Sequence, residues 1–295
     1  MSMKKVLVGV PTYSGASTLL PWCLQAIRQR TPDETPFDLF VVDDSGKPDH
    51  ARRAAETCAR FDTNLIVHSG NRGVAAGWNT LARAGAHEYV ILLNDDFIVS
   101  PGWVDTMVYF LEQNPSAGSA GYFAFFITQD DVPQLLTGPD ARVTPRDPFT
   151  KVPKPAEFTQ RDGSDMPGRC MAPPGCGFGF RRSMFDAVGG FDERYKSFYE
   201  EADWGTSCAK LGYPAYALQW PFCYHIWSAT FGQSPELKAS ARMASSRAAY
   251  IQKWGTHTEE AHAKFMSAIP FHHTKWLDAN GPQEAVITAE HGFYK

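Results

Sequence analysis

The sequence has no long hydrophobic run. None of its apolar stretches approaches the roughly 20 consecutive residues that a membrane-spanning helix requires. The opening residues, MSMKKVLVGVPTYSG, contain two lysines and a brief apolar run that is followed by proline and tyrosine. We expect this run to be the first strand of a sheet rather than a secretion signal. The lack of both kinds of segment predicts a cytoplasmic location.

The sequence also lacks a CxxC pair, a block of like charge, an internal repeat and a proline-rich linker. Its six cysteines are therefore expected to be reduced thiols. The net charge of −4 excludes an overall basic surface of the kind that binds nucleic acid, although a local patch remains open. With 295 residues, of which 43% are hydrophobic and 20% charged, the chain has the size and composition to bury a globular core.

Two common nucleotide-binding motifs are missing. No GxGxxG follows the first predicted strand, and no GxxxxGK(S/T) occurs anywhere. These absences disfavour a Rossmann dinucleotide site and a phosphate-binding P-loop. A nucleotide would have to be held in another way, by carboxylates and a metal ion.

Strands and helices alternate in the first third of the chain. The segments KKVLVGV, FDLFVVDDSG, NLIVHSG and YVILLNDD have the length and composition of strands, and helical segments separate them. This order predicts an α/β protein with a mostly parallel central sheet and helices on both faces. Polar residues follow each strand: Thr12 and Tyr13, Asp43 and Asp44, Asn71, and Asp95 and Asp96. Because ligands of such sheets bind beyond the carboxyl ends of the strands, we expect a ligand site at this edge.

The regular pattern stops after a further predicted helix and strand. Residues 129–172 are rich in Pro, Gly, Asp and Arg and show little periodicity, which predicts a functional loop or a mobile lid. Regularity returns over 175–218, the stretch 235–254 has helical spacing, and the last 40 residues show no evident strand. We therefore predict one domain over residues 1–232 and a helical C-terminal extension over 233–295.

The acidic strand ends suit a hard divalent cation. Asp95 and Asp96 stand side by side after a buried strand, and like charges so placed are costly unless a positive group arrives. Carboxylates are the oxygen ligands that Mg²⁺ and Mn²⁺ prefer. The alternative is a turn that ends the strand with Asp as its cap. At the second strand, Asp43 and Asp44 can accept hydrogen bonds from a base N–H or from ribose hydroxyls.

Four spaced segments carry a family resemblance: VGVPTYSGASTLLPWCLQAI, LFVVDDSG, NRGVAAGWNTLARAGAHEYVILLNDD and GGFDERYKSFYEEADW. In this order they resemble the family 2 glycosyltransferases of the GT-A fold, and most closely the rhamnosyltransferase-like branch. The likeness runs from about Val6 to about Ser228. It implies a GT-A type, Rossmann-like fold with a nucleotide-sugar-binding half at 1–118 and an acceptor-binding half at 119–232.

The resemblance implies a donor site that contains Mn²⁺ or Mg²⁺. Asp96 matches the last acid of the metal motif, whose place NDD occupies, and His225 matches a third metal ligand of many relatives. The residues implied to lie against the nucleotide-sugar donor are Pro11, Thr12, Tyr13, Asp43, Asp44, Asn71, Arg72, Gly73, Asn94 and Asp95. The segment that begins at Asn71 would turn a helix N-terminus toward the diphosphate. For Arg72, a contact with the diphosphate and a solvated side chain both stand as interpretations.

The segment FYEEADW is implied to carry the catalytic acids. Glycosyl transfer with inversion needs one base that takes the proton of the acceptor hydroxyl. Glu201 stands where the family usually has Asp, so the resemblance assigns it as the base, with Glu200 as the alternative and Asp203 as a support of the site. The other interpretation is that these acids only favour the helix N-terminus through its dipole.

These residues predict a metal-dependent, inverting glycosyltransferase of the hexosyltransferase type, with a UDP-sugar favoured as donor and a dTDP-sugar possible. The predicted acceptor is a hydroxyl of a glycan, a lipid-linked sugar or a metabolite, while the acidic charge balance disfavours a modified nucleic-acid base. One alternative is a nucleotidyltransferase that makes sugar nucleotides, but the loop PTYSGAST lacks the basic residue this class needs. The other is a non-catalytic sugar- or nucleotide-binding module, which would be expected to have lost the acids.

Overall fold

The structure is a computed structural model that describes residues 6–138, 141, 168–226, 229, 238–270, 273–278 and 280–286. The strands are β1 (Val6–Thr12), β2 (Phe37–Asp43), β3 (Asn64–Val67), β4 (Tyr89–Leu93), β5 (Phe97–Ile98), β6 (Ser119–Ile127), β7 (Gly168–Cys170), β8 (Gly177–Arg181), β9 (Ala215–Ile226), β10 (His273–Asp278) and β11 (Gly281–Val286). The helices are α1 (Leu19–Arg30), α2 (Pro48–Arg60), α3 (Val74–Ala82), α4 (Trp103–Gln113), α5 (Val132–Leu135), α6 (Arg182–Val188), α7 (Glu200–Lys210), α8 (Ala239–Trp254) and α9 (Thr258–Met266). Most of the predicted loop or lid at 129–172 lies outside the described residues.

A nine-stranded sheet forms the centre of the molecule, in the order β3-β2-β1-β4-β8-β6-β9-β5, with β7 paired to β9. The strands β3, β2, β1 and β4 are parallel to one another, and β9 is parallel to β6. The antiparallel strands β5, β7 and β8 all follow β4 in the chain. The predicted α/β fold with a mostly parallel central sheet is thereby confirmed.

The sheet is apolar on both faces, as burial between two helical layers requires. All residues of β4 are buried, and they alternate between two clusters: Tyr89, Ile91 and Leu93 lie in one, and Val90 and Leu92 in the other. The first cluster also contains side chains of α1, α2 and α4, and the second contains side chains of α3, α6 and α7. The strands are thus held from both sides, which fixes the positions of the polar residues at their carboxyl ends.

The contacts of the C-terminal extension with the rest of the chain include those at α7 and at α4. The helices α8 and α9 pack on α7, where the Thr206 and Tyr250 hydroxyls lie 2.6 Å apart. The strands β10 and β11 form an antiparallel hairpin beside α4, where the Asn114 side chain bonds both the N–H and the carbonyl of Lys275. The expectation of an extension without strands was wrong at this hairpin, because its pairing is stabilised by Asn114 and by burial of Trp276 rather than by a strong local pattern. The division at residue 232 stays a prediction.

The structure also bears on the absence of a membrane-spanning helix and on the state of the cysteines. Over the described residues, no helix is both long enough and apolar enough to cross a membrane. The six cysteines are all free, and five of them are buried. The absence of pairing is what the prediction of reduced thiols requires.

Candidate active site

The carboxyl ends of β2, β1 and β4 lie side by side, and the strand register places their polar residues in one row. Asp43 lies opposite Thr12, and the Asp44 N–H donates to the Thr12 carbonyl oxygen over 2.9 Å. The Thr12 hydroxyl donates to Asp95 Oδ2 over 2.6 Å. The structure therefore brings these predicted residues together at one edge of the sheet.

Asp43 is held through one of its two carboxylate oxygens. Its Oδ1 accepts a hydrogen bond from the Ser45 N–H and lies 2.9 Å from His50 Nδ1. Burial favours a raised pKa for Asp43, but the hydrogen bonds from His50 and Ser45 outweigh it and lower that pKa. Oδ2 is buried and has no hydrogen-bond partner among the described residues. This ionised carboxylate can therefore accept a hydrogen bond from a ligand.

Both oxygens of Asp44, in contrast, are already occupied. Oδ1 lies 2.7 Å from His68 Nδ1 and accepts the Arg72 N–H over 2.8 Å, while Oδ2 accepts the Gly73 N–H over 2.7 Å. Asp44 thereby closes the loop that leads into α3. In this conformation the two N–H groups bind a protein carboxylate instead of a phosphate.

The outer members of the predicted donor set lie nearer the surface. Asn71 is exposed, and the exposed Arg72 guanidinium lies 3.0 Å from the Glu193 carboxylate. The Tyr13 ring is partly exposed, with the Lys47 ammonium 5.4 Å from its centre. Tyr13 therefore offers an accessible ring at the end of the row that Asp43 occupies.

His225 is the positive group that meets the two adjacent aspartates. Pairing of β5 with β9 places His225 Nε2 3.1 Å from Asp96 Oδ1. Burial favours a lowered pKa for His225, but the Asp96 carboxylate outweighs it and raises that pKa. Burial and the charge of Asp96 raise the pKa of Asp95. The two aspartates are thus met by the His225 imidazole on one side and by the Thr12 hydroxyl on the other.

Asp96 and His225 fit one side of a divalent cation site. Asp96 Oδ1 is buried and makes no hydrogen bond within the described residues, and the one group placed against it is the imidazole nitrogen of His225 at 3.1 Å. No group of three His, Cys, Asp or Glu side chains suited to a metal occurs in the described part of the chain. A Mg²⁺-like ion is typically bound by one or two carboxylates together with substrate phosphates and water, so a site with few protein ligands is in keeping with this chemistry.

The turn after β1 lies directly against Asp95. A Cβ atom at Gly15 would lie 2.3 Å from Asp95 Oδ2, so this turn needs glycine for the close approach. On the other side, the Asn94 N–H donates to the Cys176 carbonyl oxygen over 2.9 Å. The NDD turn is therefore fixed between the loop after β1 and the loop before β8.

Glu200 and Glu201 begin α7 but have different surroundings. Glu200 is buried, accepts a backbone hydrogen bond from Phe198, and keeps Oε2 without a partner among the described residues. Glu201 is partly exposed, and a Cβ atom at Gly175 would lie 3.1 Å from its carboxylate carbon. Burial raises the pKa of both side chains, and for Glu200 the charge of Glu201 adds to the rise. A raised pKa suits a general base, and Glu201 is the more accessible of the two.

The loop before β8 lies near both groups of acids. Burial raises the pKa of the Cys176 thiol, and the nearby carboxylates of Asp96 and Glu201 raise it further. Both carboxylates therefore approach the same residue from different elements. The candidate metal ligand and the candidate base therefore both lie near this one short loop.

The turn before α7 has a strained backbone. Phe198 and Tyr199 have φ values of 68° and 72°, a left-handed conformation that few residues other than glycine adopt. The Ser246 hydroxyl of α8 donates to the Ser197 carbonyl oxygen over 2.8 Å and supports this turn. Backbone strain that the surroundings maintain is common at functional sites.

Asp203 is an anchor between α7 and the C-terminal extension. Its Oδ1 accepts hydrogen bonds from the Trp254 indole N–H over 2.7 Å and from the Tyr195 hydroxyl over 3.2 Å, and its Oδ2 lies 2.7 Å from Lys253 Nζ. These contacts satisfy both oxygens of a buried side chain. Asp203 therefore supports the acid-bearing helix, in keeping with the supporting role expected from the sequence.

Sequence reasoning missed two histidines of the site. His50 and His68 contact Asp43 and Asp44, respectively, and each is buried. Neither belongs to a spaced metal or catalytic motif. The sequence does show a histidine in the first turn of α2, His50, and another just after β3, His68. Their positions in the sequence do not reveal that they contact Asp43 and Asp44.

Comparison with known proteins gives one matching family and several relatives. The model of the family "Glycosyl transferase family 2" matches residues 7–189. The N-acetylglucosaminyl-diphospho-decaprenol L-rhamnosyltransferase of Mycobacterium tuberculosis (strain H37Rv) is 26% identical over 242 residues, which cover 74% of this chain and 75% of the relative. An uncharacterized glycosyltransferase of Haemophilus influenzae is 28% identical over 107 residues, or 36% of this chain and 34% of the relative.

Solved structures share the fold. The mannosyltransferase PcManGT from Pyrobaculum calidifontis, in complex with GDP-Man and Mn²⁺, matches with a TM-score of 0.55 and 19% identity over 84% of this chain. GalNAc-T7 with UDP, GalNAc and Mn²⁺ matches with a TM-score of 0.66 and 14% identity over 89% of this chain. The matched region spans 64% of the first of these chains and 50% of the second. At these identities the likeness establishes the fold, which is that of the GT-A glycosyltransferases.

Proposed function

The chain belongs to glycosyl transferase family 2, and from that premise we propose that it transfers a sugar from a nucleotide diphosphate donor to an acceptor hydroxyl, with inversion at the anomeric carbon and with Mn²⁺ or Mg²⁺ bound. The observation that carries this proposal is the pair formed by Asp96 and His225. A buried carboxylate oxygen without a hydrogen bond faces an imidazole nitrogen 3.1 Å away at the carboxyl edge of the sheet.

In this proposal Asp96 and His225 would hold the cation together with the donor diphosphate. A divalent cation bound there would supply Lewis-acid stabilisation of the leaving diphosphate. Asp95 contributes by holding the Thr12 hydroxyl, which keeps the NDD turn against β1. Metal binding requires the imidazole of His225 to lose its proton, so the cation would replace the imidazolium as the positive partner of Asp96.

Glu201 is the proposed base. Its carboxylate lies against Gly175 in the loop before β8, and the NDD turn that carries Asp96 bonds the same loop at Cys176. Glu201 takes the proton of the acceptor hydroxyl as the oxygen attacks the anomeric carbon, and the nucleotide diphosphate leaves. The buried Glu200 is more distant from solvent and is assigned to support of the turn.

The proposed donor base presents an N–H group to Asp43 and packs on Tyr13. Uracil and thymine both carry such a group, so a UDP-sugar is favoured and a dTDP-sugar is the alternative. The name of the mycobacterial relative describes a lipid-linked sugar as its acceptor. We therefore include a lipid-linked sugar among the acceptors, beside a glycan and a metabolite.

Thermal-shift measurements test this proposal before the acceptor is known. A ligand that binds the folded chain raises its apparent stability in proportion to the logarithm of its concentration over its dissociation constant. We expect UDP-sugars or dTDP-sugars to raise the melting temperature with Mn²⁺ and to do so far less with EDTA. UMP, which lacks the second phosphate, is the control and should give a smaller rise. If no sugar nucleotide shifts the melting temperature with Mn²⁺, the proposal is wrong.

A further inference from the structure

His50 lies between Asp43 and the turn after β1, and both of its ring nitrogens are engaged. The Ala16 N–H donates to Nε2 over 3.2 Å, and Nδ1 lies 2.9 Å from Asp43 Oδ1. A backbone N–H can only donate, so Nε2 carries no proton. Nδ1 therefore carries the proton and donates it to the carboxylate. The structure thus fixes both the orientation and the tautomer of His50.

This arrangement divides the two oxygens of Asp43 between protein and ligand. Oδ1 receives hydrogen bonds from His50 and Ser45, and the carboxylate plane is fixed as a result. Oδ2 is left without a partner in the described part of the chain, on a residue with 0% exposure. Because an unpaired buried acceptor is costly, a site of this kind favours a ligand that brings a donor to it.

His50 also connects Asp43 to the loop that carries Tyr13. Ala16 is held by α2 twice, since its N–H donates to His50 and its carbonyl oxygen accepts a hydrogen bond from the Thr57 hydroxyl over 3.0 Å. Thr57 has no hydrogen bond to Asp43 among those of the described residues. His50 and Thr57 both support the loop through Ala16. Only His50 also orients Asp43.

Resting on the proposed function, we propose that His50 is a positioning residue that sets the base specificity of the donor site. By holding Oδ1, it leaves Asp43 Oδ2 to accept the ring N–H of a base. Uracil and thymine present an N–H at N3, whereas N3 of cytosine is an acceptor that would meet a carboxylate oxygen. A site built around a specific hydrogen bond rejects analogues that cannot form it, because its buried group is then left unpaired.

Calorimetric titration with UDP and CDP, each with Mn²⁺, tests this proposal. We expect the wild type to bind UDP at least about tenfold more tightly than CDP, the scale of one hydrogen bond to a charged group. In His50→Gln, the amide reaches the place of Nε2 and keeps the bond to Ala16 but not the bond to Asp43. UDP affinity should fall about tenfold, and the preference over CDP should largely disappear. In His50→Asn, the amide N–H takes the place of Nδ1 and should preserve most of the preference.

Two controls separate positioning from general support. Inorganic pyrophosphate with Mn²⁺ has no base, so its affinity should be the same in all variants. Thr57→Val removes the other bond to Ala16 and should keep the wild-type ratio of UDP to CDP affinity. Equal weakening of pyrophosphate and UDP in His50→Gln would show a merely structural role and overturn the proposal.

The remaining outcomes distinguish this inference from the proposed function. A wild type that binds UDP and CDP equally would overturn the inference alone, and this result does not depend on any variant folding. A folded His50→Gln with the wild-type ratio would do the same. A wild type that binds no nucleoside diphosphate in the presence of Mn²⁺ would overturn the proposed function itself.

Discussion

At the scale of single residues, the carboxylates of the site differ in how many of their oxygens the protein already occupies. Asp44 and Asp203 have both oxygens engaged, so we assign them to structure. Asp43 Oδ2 is buried without a partner in the described residues, and the buried Asp96 Oδ1 makes no hydrogen bond there and is met only by His225 Nε2 at 3.1 Å. Unsatisfied buried acceptors are costly in a stable fold, so these two mark where a ligand or a cation is expected.

Replacement of Glu201 by glutamine tests the assignment of the base. Glutamine keeps the size of the side chain but cannot take up a proton, so Glu201→Gln should lose about 10²-fold or more in rate. Donor and metal affinity should stay close to those of the wild type, because the loss falls on the chemical step. The measurement is single-turnover transfer at saturating donor, or donor hydrolysis until an acceptor is known. Glu200→Gln is the matched control and should lose less; an inactive Glu200→Gln beside an active Glu201→Gln would reverse the assignment.

At the scale of helices and strands, the sequence allowed the first half of the sheet to be predicted. Each of the first four strands is a short apolar segment that ends in polar residues, and parallel strands buried on both faces require this pattern. Asp95 and Asp96 could therefore be placed at a ligand edge from the residues alone. His225 could be placed only through the family resemblance, because its approach to Asp96 depends on the pairing of β5 with β9.

The hairpin and the two site histidines mark where sequence reasoning failed. In β10, Thr274 and Trp276 are buried while His273 and Lys275 are exposed, an alternation typical of a strand. Its partner strand begins with glycine and proline and gives no comparable signal, and strand formation depends strongly on such tertiary context. His50 and His68 are single residues whose contacts arise only when α2 and the loop after β3 are in place.

The packing of α9 on α7 should depend on pH through His262. His262 is buried, its Nε2 has no partner in the described residues, and burial lowers its pKa from 6.5 to about 4. The unfolded chain takes up this proton near pH 6.5 and the folded chain does not, so stability should be lost as pH falls from about 6.5 to about 4. The loss should be roughly 2–3 kcal/mol, at 1.36 kcal/mol for each pKa unit.

Urea unfolding of the wild type and His262→Leu at several pH values measures this effect. Because other acids titrate in the same range, the difference between the two proteins is the relevant quantity. That difference should shift in favour of the leucine variant by roughly 2–3 kcal/mol between pH 7 and pH 4. A constant difference over this range would show that His262 has the same pKa in the folded and unfolded chains and would contradict the prediction.

At the scale of the whole molecule, the C-terminal extension packs against the acid-bearing helix. Tyr195, Lys253 and Trp254 all converge on Asp203, and Ser246 supports the strained turn before Glu200. The extension is therefore part of the structure that positions the candidate base. Its strands and helices contact both α4 and α7, which lie on opposite faces of the sheet.

Replacement of Asp203 by asparagine tests this connection. The substitution keeps the shape of the side chain but removes its charge from beside Lys253, which is partly exposed. We expect a loss of about 1–3 kcal/mol in the free energy of unfolding, less than for a fully buried ion pair because solvent screens Lys253. Asp192→Asn is the matched control, since Asp192 lies 3.4 Å from the same ammonium and is more exposed. A loss for Asp203→Asn no larger than for Asp192→Asn would contradict the anchoring role.

The binding of UDP with and without Mn²⁺, in the wild type and in Asp96→Ala, tests the central claim most directly. Calorimetry should show that the wild type binds UDP tightly with Mn²⁺ and weakly with EDTA, because the diphosphate is held through a cation at Asp96 and His225. Asp96→Ala should lose the Mn²⁺-dependent part of the affinity, and His225→Ala should lose less of it. Thermal melts would establish that both variants are folded. Metal-dependent binding of UDP that is unchanged in a folded Asp96→Ala would contradict the account.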